Sequence, residues 1–313
     1  MKIVKDDTNF KKYLPAFATQ EFLQSKSNEY GWFISEEAVL PFYIDRRGGF
    51  SKLVLTHETI LLREGSNEIA FLNGVVDSAK SLKVDMIAQP LANAVFSSIP
   101  DNSKYIGWGS YVVDLSQSED VLLKNMHAKH RNVIRKAIKD GINIQETEDV
   151  EAVFENLKQT MERQNRAFPS LNELKKLKNF SKFVIALKDG EIQGSAVLPY
   201  NRHGAFYLYG GSIAKPYTGS LNYMHYFAML QFKREGVKLY DFMGARIDVA
   251  KGSKLEGIQR FKSRFGGDVK RGYLWKYPFS PMKISLMYGI QKIRFKLKGR
   301  DYLGDAIDQE SRR

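Results

Sequence analysis

Ala38-Val-Leu-Pro-Phe42 recurs as Ala196-Val-Leu-Pro-Tyr200. Each copy is followed by a polar, basic, glycine-containing turn, IDRRGGF in the first and NRHGAF in the second, and then by another strand-like run. Further on, each half has a helix-like stretch, roughly 66–81 and 221–235, leading into a short strand, KVDMIA or KLYDFM. Each match is weak alone. In the same order they point to one plan used twice. Hairpins followed by a helix and a further strand predict α/β (α+β) domains with mixed, largely antiparallel sheets flanked by helices. A length of 313 residues suits two of them. A doubly wound nucleotide fold is not expected, because a dinucleotide-binding fingerprint and a Walker A loop are both absent. The Gly-Gly pairs at 48–49, 210–211 and 266–267 read first as turns.

The chain has no cysteine, which excludes disulfides, zinc-thiolate sites and thiol nucleophiles together. Its histidines (57, 127, 130, 203 and 225) are scattered, with no HExxH, so metal catalysis is not expected. His203 sits in a polar turn and His225 in the aromatic run YMHYF, where a structural, hydrogen-bonded histidine is the plainer reading. The opening MKIVKDDTNFKKYL puts charges where a signal peptide needs an apolar core. No run of about eighteen apolar residues occurs, so a cytoplasmic, soluble protein is expected. The formal charge of +13 favours polyanionic partners such as RNA, phosphorylated substrates or an anionic membrane face, against the plain reading of a solubilising surface.

Between the halves, Ser116 and Glu119 have capping-box spacing and predict one helix running to Gly141. Leu122, Met126, Val133, Ile134, Ala137 and Ile138 recur at helical spacing and form its expected buried stripe. Its other face carries Lys124, Lys129, Arg131, Arg135, Lys136 and Lys139, with His127 and His130 between them. That face is either solvated or binds anions. The stretch PMKISLMYGIQKIRFKLKGR, 281–300, is expected to be a basic amphipathic helix with Leu286, Met287, Ile290, Ile293 and Leu297 on one side. Lys292, Arg294, Lys296 and Lys298 lie largely around the other. Docking on its own domain is the favoured expectation, with membrane contact as a second role.

In GIQRFKSRFGGDVKRG, 257–272, two aromatics and five basic residues share sixteen positions, with Phe261 and Phe265 flanking Lys262. A basic turn, a phosphate-binding element and a chemically active lysine all fit that pattern.

Three segments together resemble the Fem-type peptidyltransferases (the FemABX family). They are VVDLSQSEDVLLKNMHAKHRNVIRKAIKDG, then FYLYGGS with a helix and LYDFMGA, then GIQRFKSRFGG, and they cover roughly 111–265. The resemblance implies two tandem GNAT-like domains, 1–142 and 143–276, with 277–313 packing back on the first. It implies transfer of an amino acid from aminoacyl-tRNA to an amino group of a peptidoglycan precursor, with no cofactor. Lys262 matches the family's Phe-Lys position and would stabilise the oxyanion and the departing oxygen. Tyr207 and Tyr209, two apart in a strand and hence on one face, would contact the acceptor, Tyr209 most directly. Asp241 and Arg246 would sit at a strand end near the cleft, Arg264 would assist with phosphates, and Asp114 would shape the start of the helix.

The match departs from the family in places. Where members with a nucleotide-linked acceptor place an Arg and a Tyr, this chain has Phe168 and Asn172, with Arg166 at a shifted position. Trp32 is followed by FISEE where a lysine is common. The acceptor amine, the amino acid carried and the oligomeric state are therefore not legible. Two alternatives stay open: an N-acyltransferase using acyl-CoA or an acyl carrier protein, with GGSIAKPYTGS as a loose pyrophosphate loop, and a non-catalytic RNA- or membrane-binding relative.

Overall fold

The computed structural model describes residues 1–164, 166, 168–247, 249–297, 299 and 301–310. Lys298 and Arg300 of the basic tail pattern lie outside them. In chain order come β1 (Lys2–Val4), α1 (Gln20–Lys26), β2 (Tyr30–Ile34), β3 (Ala38–Arg47), β4 (Phe50–Leu55), β5 (Ile60–Leu61), α2 (Glu68–Lys80), β6 (Met86–Ile87) and β7 (Lys104–Asp114). Then follow α3 (Glu119–Asn125), α4 (Ala128–Lys139), β8 (Asn143–Glu146), α5 (Val150–Arg163), α6 (Leu171–Leu177), β9 (Ser181–Lys188), β10 (Glu191–Asn201), β11 (Gly204–Phe206), β12 (Tyr209–Ser212) and α7 (Ser220–Arg234). The chain continues through β13 (Leu239–Asp241), β14 (Ala245–Arg246), α8 (Lys254–Ser263), β15 (Asp268–Pro278), α9 (Pro281–Leu297) and α10 (Ala306–Glu310).

The chain forms two compact units. The first holds residues up to Gly109, a short return at Arg246, and the chain from Arg271 onward. The second runs from Ser110 to Ala245 and includes α8. The division therefore falls at 109/110, where the sequence reading put it at 142. Residues 110–142 belong to the second unit because α4 packs on α7 and the stripe of Leu122, Met126, Ile134 and Ala137 joins that unit's core.

Within the first unit the strand order is β1-β2-β3-β4-β6-β15. β3 and β4 form an antiparallel hairpin from Phe42↔Leu55 to Arg47↔Phe50, and β6 returns parallel to β4 at Lys52↔Met86. The intervening α2 starts where the Asn67 side chain accepts the Ala70 N–H at 3.1 Å. It buries Phe71, Leu72, Val75, Val76 and Ala79 against Phe33, Phe42, Phe96 and Trp275. Lys276, itself buried, pairs with Asp305 at 2.8 Å and Asp308 at 2.6 Å and so fastens the segment carrying α10.

The second unit repeats the plan. β10 and β11 make the hairpin, α7 crosses, and β13 returns parallel to β11 at Ala205↔Tyr240 and Phe206↔Asp241. On one side β13 pairs with the second half of β7, and on the other β9 and β8 extend the sheet beyond β10. Its core joins Ile134, Met224, Phe232, Tyr240, Phe242 and Phe265. The AVLP echo thus marks the hairpin strand of both units.

Five expectations need correction. The helix foreseen from Ser116 to Gly141 is two helices, broken at Met126 and His127, both with ψ near 140°. Ser118 caps the first, while Ser116 donates its N–H to Asp114 Oδ1 at 2.8 Å instead of capping. His127 caps the second through Nδ1, which accepts the Lys129 N–H at 3.1 Å. After that break Ile138 faces outward, and His130, expected on the charged face, is buried. In α9 the residue buried is Ile284, and the stripe expected to dock is largely exposed. No helix among the described residues is long and apolar enough to cross a membrane.

Candidate active site

Where β13 ends, the second unit makes a two-residue left-handed turn. Met243 and Gly244 have φ of +50° and +59°. A methionine there costs roughly 1–2 kcal/mol, and a buried carboxylate holds it. Asp241 Oδ1 accepts the Met243 N–H at 2.6 Å and also the hydroxyl of Ser110. With the N–H fixed, the carbonyls of Met243 and Gly244 converge on one point. Lys262 Nζ donates to both, at 2.8 Å for Gly244.

Lys262 reaches that point from α8, whose start is capped by Ser253 accepting the Glu256 N–H at 3.2 Å. Its neighbours Phe261 and Phe265 meet edge to face at 5.2 Å, with Phe265 fully buried. His130 Nε2 lies 3.0 Å from the Phe261 carbonyl. A carbonyl only accepts, so Nε2 carries the proton. Burial, followed by the positive charge of Arg264, holds the His130 pKa below its ordinary value, outweighing the bond to Phe261.

The aromatic surroundings set the charge of the lysine. Burial pushes the Lys262 pKa down to about 8, against the attraction of Asp241 and with help from Arg166. At pH 7 the group is still chiefly an ammonium, but one that releases its proton more readily than a surface lysine. An ammonium has three N–H bonds. Among the described residues two go to the Met243 and Gly244 carbonyls, and the third has no acceptor there.

His225, from α7, stands beside this cluster and is fully buried. Its Nδ1 is 2.8 Å from Tyr240 Oη, and its ring meets Tyr207 at 4.4 Å, Phe242 at 5.1 Å and Phe265 at 5.4 Å. Burial, then the charge of Lys262, pushes its pKa down to about 3. It is a neutral wall for the lysine, not a proton carrier near pH 7.

Tyr207 and Tyr209 do not occupy one continuous strand. β11 stops at Phe206, and the Leu208 N–H is shared between Val197 and Phe206 carbonyls at 3.1 and 2.9 Å. Tyr200 pairs with Ala205, whereas Val197, three residues back, pairs with Tyr209, four residues on. That extra residue is a bulge, and it cancels the period-two argument for a shared face. Tyr207 folds against His225 and over Gly210, where a methyl group would collide with its phenol. Burial raises both phenols to about 12, with Glu173 adding to the effect at Tyr209.

The second unit thus brings together Lys262, Asp241 and Tyr207, with Arg166 near enough for its charge to act on the lysine. Arg264 ends α8 and acts electrostatically on His130. Arg246 belongs to the first unit, where it pairs with Glu310 and donates to Gln309 at 2.6 Å. Sequence reasoning missed Ser110, the two carbonyls and the part His225 takes in the wall. The signal for His225 was its place among aromatics in YMHYF; backbone carbonyls carry no sequence signal. The first unit has its own cleft of about 570 Å³, bounded by Tyr43, Lys52, Met287, Tyr288 and Phe295.

No protein-family model and no curated protein matches the sequence. Solved structures do match. FemX is 15% identical, covering 91% of this chain and 98% of its own, with a TM-score of 0.67. The C-terminal domain of a putative lysylphosphatidylglycerol synthetase from Agrobacterium fabrum is 17% identical over 86% of this chain and 93% of its own, with a TM-score of 0.53. L-PGS from Bacillus licheniformis is 14% identical over 83% and 88%, with a TM-score of 0.51. With its two hairpin–helix–strand units and largely antiparallel sheets, the chain has the fold of FemX.

Proposed function

We propose that the protein is an acyltransferase that moves an aminoacyl group from aminoacyl-tRNA to an amino group of a peptidoglycan precursor. The observation that carries this reading is the Lys262 ammonium, gripped by two backbone carbonyls and walled by aromatics, with one N–H bond left to offer. In the reaction the acceptor nitrogen attacks the ester carbonyl carbon, and the carbonyl electron pair moves onto oxygen. Collapse of the tetrahedral species breaks the bond to the ribose oxygen and leaves an amide. The proton shed by the amine ends on that ribose oxygen. Lys262 meets the developing oxyanion with its free N–H bond, an interaction whose loss elsewhere costs roughly 3–4 kcal/mol. Its lowered pKa suits it to share a proton with the departing alkoxide.

Asp241 acts here as a positioning residue, since it shapes the turn that grips the lysine. Tyr207 and Tyr209 are proposed to contact the acceptor, and Arg166 and Arg264 to meet phosphates. Arg246 is committed to Gln309 and Glu310 and is left out of this reading.

The acyl-CoA alternative has less support. Gly219, in the loose pyrophosphate loop before α7, is explained by packing: any side chain there would strike the Val133 carbonyl of α4. Incubation with charged tRNA or acyl-CoA, each with a muropeptide or with phosphatidylglycerol, followed by mass spectrometry, tests the reading. The phosphatidylglycerol arm is prompted by the name of the Agrobacterium neighbour. Aminoacylated muropeptide from the tRNA arm is expected. Transfer from acyl-CoA alone replaces the donor, product on the lipid replaces the acceptor, and salt-sensitive binding without transfer favours a non-catalytic relative.

A further inference from the structure

Helix α9 has two apolar faces. One turns inward: Ile284 is buried, and Met287, Tyr288 and Phe295 line the cleft of the first unit. The other does not. Met282, Leu286, Ile290, Ile293 and Leu297 are 88%, 66%, 43%, 63% and 83% exposed. Their spacing of four, four, three and four residues puts all five on one stripe, within about 80° of the helix circumference at 3.6 residues per turn. The stripe runs about 22 Å along the helix at 1.5 Å per residue.

The charges around the stripe indicate its occupant. Residues 281–297 contain Lys283, Lys292, Arg294 and Lys296 and no acid. At 100° per residue, Lys283 and Arg294 fall on one flank of the stripe, and Lys292 and Lys296 on the other. Lys283 also pairs with Asp85 at 3.1 Å, which ties that flank to the body of the unit. Cations along both edges of an exposed apolar stripe match a surface with anions above and hydrocarbon just beneath. A second copy of the chain would bring the same cations against these, and nucleic acid offers nothing to the five apolar side chains. At seventeen residues with four charges the helix is too short and too polar to span.

We propose that α9 is an interfacial anchor that lays this stripe into the surface of an anionic phospholipid bilayer. Such helices sink their apolar face about 5–10 Å, to the boundary of headgroups and acyl chains, while flanking cations meet lipid phosphates. This inference stands apart from the transfer chemistry and does not need Lys262.

Vesicle flotation of the full chain tests it, using phosphatidylcholine vesicles with and without about one-third phosphatidylglycerol. Two variants accompany wild type: Leu286→Glu with Ile293→Glu, and Lys292→Gln, Arg294→Gln and Lys296→Gln together. All five side chains are exposed, so both variants should melt like wild type. Wild type is expected to partition at least tenfold more strongly to the anionic vesicles, and less at 0.5 M salt. The glutamate variant should stay unbound, and the glutamine variant should partition on the order of a hundredfold less. The proposal is overturned if wild type ignores anionic vesicles, or if the glutamate variant floats like wild type. It is also overturned if light scattering shows a dimer that the glutamates dissolve while vesicle binding is unchanged, or if the glutamines weaken only tRNA binding. Should a variant fail to fold, the lipid and salt dependence of wild type still decides.

Discussion

Asp241 and Lys262 hold the same residue by opposite ends. The carboxylate of Asp241 takes the N–H of Met243, and the ammonium of Lys262 takes its carbonyl. Between them they fix a left-handed methionine at the end of β13. The strained turn, the buried charge pair and the aromatic wall are therefore one construction, and disturbing either charge should disturb the rest.

Asp241→Asn keeps an oxygen for the Met243 N–H and the Ser110 hydroxyl but removes the negative charge. The Lys262 pKa should then fall further below 8, because Asp241 is the attraction that opposes its burial. The alkaline limb of the transfer rate is expected to move to lower pH, with a stability loss of about 1–3 kcal/mol in denaturant unfolding.

Lys262 gives a pH signature of its own. Its folded pKa of about 8 lies below the ordinary 10.5, so between these pH values the unfolded chain binds a proton that the folded one does not. From this group alone, stability rises with pH across that window, by about 3 kcal/mol. Unfolding of wild type beside Lys262→Met, at pH 7.5 and pH 10.5, should show the difference moving in favour of wild type at the higher pH.

His225 has the same sign of dependence in a lower pH window. Its pKa of about 3 against an ordinary 6.5 means that the unfolded chain takes up a proton first as pH falls. Stability from this residue is complete above about pH 6.5 and drains away toward pH 3. By pH 4.5 the loss is about 3 kcal/mol. Replacing His225 with Gln should flatten the acid limb of a stability–pH curve.

Gly210→Ala puts a methyl group into the phenol of Tyr207. The ring must leave His225, and the expected loss is about 1–3 kcal/mol. Adding Tyr207→Ala should recover part of it, so the double variant will be less destabilised than the sum of the two singles.

Much of this fold is legible in the residues, and the failures are physical. The hairpin–helix–strand plan shows twice because alternating apolar strands and glycine turns leave local marks at 38–55 and 191–206. The break between α3 and α4 leaves none: no proline or glycine stands at Met126 and His127, and a tertiary bond from the His127 N–H to the Arg264 carbonyl helps hold it. A one-residue bulge separates Tyr207 from Tyr209, and simple alternation does not register it. In α9 the spacing gave four of the five expected stripe residues, but Met287 turns to the cleft and Met282 takes its place in the exposed row; a helix with two apolar faces does not say which one docks. Lys262 stood out beside its phenylalanines, whereas the carbonyls that grip it belong to a turn whose shape depends on a buried aspartate.

The most direct measurement is the turnover of Lys262→Ala in transfer from aminoacyl-tRNA, with circular dichroism confirming an unchanged fold. Loss of the N–H donor at the oxyanion predicts turnover slower by about a hundredfold or more, at similar donor KM. Near-normal turnover in a folded Lys262→Ala protein would contradict the account.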